Sequence, residues 1–69
     1  MTQRDMILDF MQRNGGITPL EALEHIGCMR LASRIGELRK RGYDIRSETV
    51  YHTNDYGERK HYSRYTLEA

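Results

Sequence analysis

Cysteine is almost missing from this chain. Cys28 stands alone, which excludes an internal disulfide framework. A single thiol fits a reducing compartment, so a cytoplasmic location is expected. Long apolar runs are missing too: the longest hold two or three residues, and mean hydropathy is −0.80. No segment is long and apolar enough to serve as a membrane-spanning helix, and no membrane partner is expected. No basic stretch followed by an apolar one opens the chain, so a secretory signal is not expected. A strong charge of one sign is also lacking. The net charge of +1 over 69 residues does not by itself announce a nucleic-acid partner. There is no CxxC pair, no Gly-rich phosphate loop and no paired-carboxylate arrangement. Sixty-nine residues make one domain at most, expected to span 1–69. A chain this short has no room for a deep catalytic cleft beside its core. An enzyme is therefore not expected, and neither is a cofactor.

What is present is a set of well-marked helix boundaries. Thr2 can cap a first helix, with Asp5 three residues on. Met6, Ile7, Phe10 and Met11 follow at helical spacing, and Gly15-Gly16 stops the run. Ile17 is a short extended bridge. Thr18-Pro19-Leu20-Glu21 then reads as cap, first helical position and capping-box acid. Leu20, Leu23 and Ile26 are expected to form the buried side of this second helix, and Gly27 breaks it. A third helix is expected from about Met29 to Arg41, with Leu31, Ile35 and Leu38 on one face and Gly42 at its end. Gly36, inside that helix, costs up to about 1 kcal/mol against Ala. It suggests close approach of a neighbouring helix or a partner.

Past Gly42 the residues become aromatic and β-branched. Tyr43, Ile45, Val50 and Tyr51 lie in a first strand region, Asn54-Asp55-Tyr56-Gly57 is a turn, and His61 to Leu67 return. Imperfect alternation predicts a bulge within 46–50. Tyr43 and Tyr65 are expected to pack against the helices. The order gives an α+β class: three helices, then a C-terminal two-stranded β-hairpin. The expected core is Phe10, Leu23, Leu31, Ile35, Leu38 and Ile45.

Positive charge is concentrated in one segment. Residues 28–46 hold Arg30, Arg34, Arg39, Lys40, Arg41 and Arg46 against Glu37 and Asp44, while the segments on either side are net acidic. Two short helices joined by a tight Gly-containing turn form a helix-turn-helix arrangement. With Leu31, Ile35 and Leu38 turned inward, Met29, Ser33, Gly36 and Lys40 face outward, flanked by Arg30, Arg34, Glu37 and Arg41. Arg30 and Arg34 suit bidentate contact with guanine, Ser33 is a short polar group, and Lys40 and Arg41 suit phosphates. An ordinary amphipathic helix with a solvated face would show the same pattern. On the hairpin, Arg59 and Lys60 are phosphate candidates, opposed by Asp55 and Glu58.

Three helices followed by a hairpin is the winged variant of this arrangement. The chain resembles small winged helix-turn-helix domains common in phages and prophages. The resemblance rests on Ile17-Thr18-Pro19-Leu20-Glu21-Ala22-Leu23, on Arg30-Leu31-Ala32-Ser33-Arg34-Ile35, on Leu38-Arg39, on Gly42-Tyr43-Asp44-Ile45 and on Tyr65-Thr66-Leu67. It implies binding of duplex DNA, with the third helix in the major groove and the hairpin near the backbone or minor groove. It also implies a phage or prophage transcriptional regulator or recombination accessory factor. The small footprint of a single domain makes a homodimer on DNA one arrangement. The chain departs from compact repressor-type motifs at one point. Leu31 lies four residues past Gly27, so either the turn is longer or Cys28 takes the buried slot. The alternative is a winged-helix protein–protein interaction module that binds a host or phage protein. His25, Cys28, His52 and His61 raise a zinc site, but His25 and Cys28 straddle a helix break and no metal is expected.

Overall fold

In the computed structural model, which describes residues 1–68, each of the first two helices begins where a cap stands and ends where the backbone must reverse. Ala69, part of the expected 1–69 span, lies outside the described residues. Helix α1 (Gln3–Asn14) starts behind Thr2, whose hydroxyl accepts from the Asp5 amide while the Asp5 carboxylate accepts from the Thr2 amide. Helix α2 (Pro19–Ile26) repeats the device with Thr18 and Glu21, and Pro19 supplies a preset φ at its first position. Gly15 and Gly27 end these helices at φ 80° and 76°, left-handed values that glycine adopts without steric cost. Helix α3 (Leu31–Lys40) has no side-chain cap. Strands β1 (Ile45–Thr53) and β2 (Arg59–Leu67) form one antiparallel hairpin. Ile17 pairs with Tyr65 as an isolated bridge, which ties the segment between α1 and α2 to the base of β2.

The core comprises Ile7, Met11, Ile17, Ala22, Cys28, Leu31, Ile35, Leu38 and Ile45, with Leu8, Phe10, Ile26, Tyr65 and Leu67 packed against it. The inward phase of α3 is therefore the expected one. The second helix is rotated from expectation. Leu20 is 62% exposed and Leu23 47%, while Ala22 is buried and Ile26 half-buried. Ala22–Ile26 and Leu23–Ile26 are neighbouring stripes sharing one residue, so spacing alone cannot choose between them. The structure places the smaller side chain inward, where α2 packs against α1 and β2. Leu23 thus leaves the expected core, and Phe10 stands at its margin with its ring 5.3 Å from that of His25.

Three further expectations change. The third helix starts at Leu31 rather than Met29, because Cys28 takes the buried slot and its amide donates to the Ala22 carbonyl at 3.0 Å. The turn between α2 and α3 is consequently longer, and Met29 stands 85% exposed outside the helix. The hairpin has no bulge: pairing runs unbroken from Ile45–Leu67 to Thr53–Arg59. Its irregular alternation has another cause. Arg46 to Thr49 are all exposed, and beyond Val50 both faces are largely in solvent, so no buried side imposes a period of two on β1. Tyr43 does not pack inside. It precedes β1 and is exposed, while Tyr65 is the tyrosine that reaches the core.

Candidate nucleic-acid interface

The surface of α3 divides into three strips, set by its inward residues and a rotation of about 100° per residue. Ser33, Gly36 and Lys40 lie on the strip opposite the core. Ser33 and Lys40 are exposed, and a Cβ built on Gly36 would meet nothing within 4 Å. Among the described residues no neighbouring helix therefore explains that glycine. Arg30 sits at the N-cap position, exposed, with its guanidinium 3.4 Å from the Ser33 hydroxyl. Arg41 is exposed at the C-cap, its amide bonded to carbonyls of the last turn.

A second strip faces α1 and is an ion-pair cluster. Arg34 donates from Nη1 to Glu37 Oε2 at 2.7 Å and from Nε to Gln3 Oε1 at 3.2 Å. Arg4 donates to the other Glu37 oxygen at 3.1 Å. Arg34 and Glu37, both expected on the reading surface, are thus tied to α1 as well. Sequence reasoning misses Arg4 and Gln3 as neighbours of this surface. They lie 33 and 31 residues from their partners, and no local spacing marks such a contact.

The third strip carries Arg39. Its guanidinium donates twice to the Ile45 carbonyl, at 3.1 and 2.8 Å, and lies 6.0 Å from the Tyr65 ring centre. This arginine clamps the end of α3 to the start of β1, and so sets where the hairpin leaves the helical body.

On the hairpin, Asn54 organises the tip. Its Oδ1 accepts from the amides of Tyr56 and Glu58, and its Nδ2 donates to the Glu58 carboxylate. Gly57 supplies the left-handed residue of the turn, at φ 80°. The two wing cations are not brought together. Successive strand residues point to opposite faces. Arg59 stacks over Tyr51 at 4.3 Å, and Tyr51 lies across from His61. Lys60 is on the other face, 3.8 Å from Glu58. Both cations remain exposed near the tip. His25, Cys28, His52 and His61 are likewise dispersed, and among the described residues no three His, Cys, Asp or Glu side chains form a metal-binding group.

The architecture is that of three helices with the third presenting an open, cation-bearing face, and a hairpin projecting past it. Among the described residues no helix is long and apolar enough to cross a membrane. A search of curated proteins finds no match to the chain. A family model described as a winged helix-turn-helix domain matches residues 2–69. The chain belongs to the winged helix-turn-helix domain family, and this membership points to DNA binding in general.

Proposed function

We propose that this domain binds duplex DNA sequence-specifically and without catalysis, with α3 in the major groove and the hairpin wing near the backbone. The observation that carries the reading is the outward strip of α3: Ser33 and Lys40 are exposed, half-buried Gly36 between them leaves room for a Cβ, and Arg30 and Arg41 are exposed at the two ends. A helix entering the major groove needs short polar groups and close backbone approach in its middle and cations at its rims. The named contacts are Arg30, Ser33, Arg34, Glu37, Lys40 and Arg41 on the helix side and Arg59 and Lys60 on the wing. A role as a phage or prophage regulator or recombination accessory factor rests on the sequence resemblance, and a cytoplasmic location on the single thiol. One domain has a small footprint, so tight binding would place two copies on adjacent half-sites.

The test is a titration of labelled duplex at several salt concentrations. About three to five phosphate contacts give a log–log slope near −3 to −5. Replacing Arg59 and Lys60 together by Ala flattens it by up to about two units. A folded protein that binds no duplex at low salt overturns the reading. The rival is a protein-binding winged helix, and one observation favours it: Leu20, Leu23 and Met29 line a shared apolar hollow beside Pro19 and are all exposed. That rival predicts that Leu20→Ser leaves duplex affinity intact while abolishing capture of a protein partner.

A further inference from the structure

Glu37 stands at the border between the outward strip of α3 and the flank facing α1. Its carboxylate is divided between two arginines from different helices: Oε1 accepts from Arg4 at 3.1 Å and Oε2 from Arg34 at 2.7 Å. Gln3 takes a second donor of Arg34 at 3.2 Å. The three charged side chains are each about one third exposed, at 30% for Arg4, 36% for Arg34 and 37% for Glu37. They line one shallow cleft with Thr2 and Gln3.

We infer that Arg4 belongs to the DNA-facing surface, and that Glu37 is a positioning residue whose carboxylate holds Arg4 and Arg34 side by side until a DNA phosphate takes its place. The inference rests on the DNA reading and adds to it a contact from α1. A guanidinium has five donors in a fixed fork and stays charged at any working pH. Here the bonds to Glu37 and Gln3 occupy one of the five donors of Arg4 and two of those of Arg34, and among the described residues no other side-chain acceptor takes the rest. Exchanging Glu37 for a phosphate oxygen leaves each of these partly buried guanidinium groups with an anionic acceptor. A carboxylate and a phosphate present the same kind of charged acceptor to an arginine. Glu37 also lowers the cluster from two positive charges to one. That weakens its pull on any polyanion at a distance while keeping both forks oriented for one placed between them. In this role Glu37 limits the attraction of a random-sequence duplex to the cluster.

The experiment measures affinity of the whole chain for a random-sequence duplex across salt concentrations. The variants are Arg4→Ala, Arg4→Lys, Arg13→Ala, Glu37→Gln and Glu24→Gln. Arg13 is the control cation, exposed at the far end of α1 and paired with Asp9 on its own helix. Glu24 is the control acid, exposed on α2. A thermal melt of each variant establishes that it is folded. Arg4→Ala should weaken binding about three- to tenfold and flatten the slope by about one unit, and Arg4→Lys should restore the slope, while Arg13→Ala changes neither. Glu37→Gln should tighten random-duplex binding several-fold more than Glu24→Gln does. If Arg4→Ala behaves as Arg13→Ala does, Arg4 is not on the interface. If the two acid variants are alike, Glu37 has no counter-ion role. Either result, from a wild type that binds, overturns this inference and leaves the DNA reading standing. A folded wild type that binds no duplex overturns both.

Discussion

Gly36 shows how one residue can be costly to the fold and still have no internal reason to be there. Its backbone is helical, it has no neighbour within 4 Å of a built Cβ, and glycine is the poorest helix former after proline. Gly36→Ala should therefore raise stability by about 0.5–1 kcal/mol, seen as a higher denaturant midpoint with unchanged slope. If the outward strip lies against DNA, the same variant should weaken duplex binding, because the added methyl holds the backbone off. A variant that is more stable and binds duplex as well as wild type would remove Gly36 from the interface. The glycine is readable in the sequence as an anomaly inside a helical pattern. What it faces is not, since only the packed structure shows the space around it to be empty. Cys28 is the converse case. It follows the Gly27 break directly, where no helical period extends to it, and the spacing to Leu31 leaves a longer turn and a buried cysteine as alternatives. The packed structure has both, because the thiol fills the core while Met29 and Arg30 carry the chain on to the helix.

Helices and strands are legible to different degrees, according to how local their causes are. Both capping boxes are formed by residues three apart, so Thr2–Asp5 and Thr18–Glu21 can be recognised from sequence and are present as bonds. The rotation of α2 depends on what it packs against, and hydrophobicity by itself favours the larger Leu23 over Ala22. Asp5 makes the first of these caps testable by pH. The Thr2 backbone amide, and next its hydroxyl contact, hold the Asp5 carboxyl below its ordinary value. A pKa lower in the folded state than in the unfolded chain means the cap's contribution is complete above the unfolded value and is lost as pH falls through the folded one. The melting temperature of wild type should accordingly exceed that of Asp5→Ala at about pH 6, and the gap should close as pH falls below about 4. A gap that is constant from about pH 6 to about pH 2.5 would mean the carboxylate is not what secures the start of α1.

At the scale of the whole molecule, a single small core holds three helices and the base of the hairpin. Ile35 is fully buried within it. Ile35→Ala should cost about 2–5 kcal/mol, a large part of the roughly 5–15 kcal/mol typical of a domain. Urea unfolding followed by circular dichroism is the measurement, and an unshifted midpoint would displace Ile35 from the core. By itself, the sequence determined the order of elements, the ends of α1 and α2 and the inward phase of α3, because caps, glycines and three-and-four spacing act within a few residues of one another. It also located the excess of positive charge. The tertiary structure alone decided which stripe of α2 is buried, that the turn before α3 is extended by a buried Cys28, and that Glu37 and Arg34 meet Arg4 and Gln3 of α1. It also decided that Arg39 clamps the hairpin while Arg59 and Lys60 occupy opposite faces of it. These depend on the relative placement of elements, which a side chain far away in sequence can set and which no local pattern encodes.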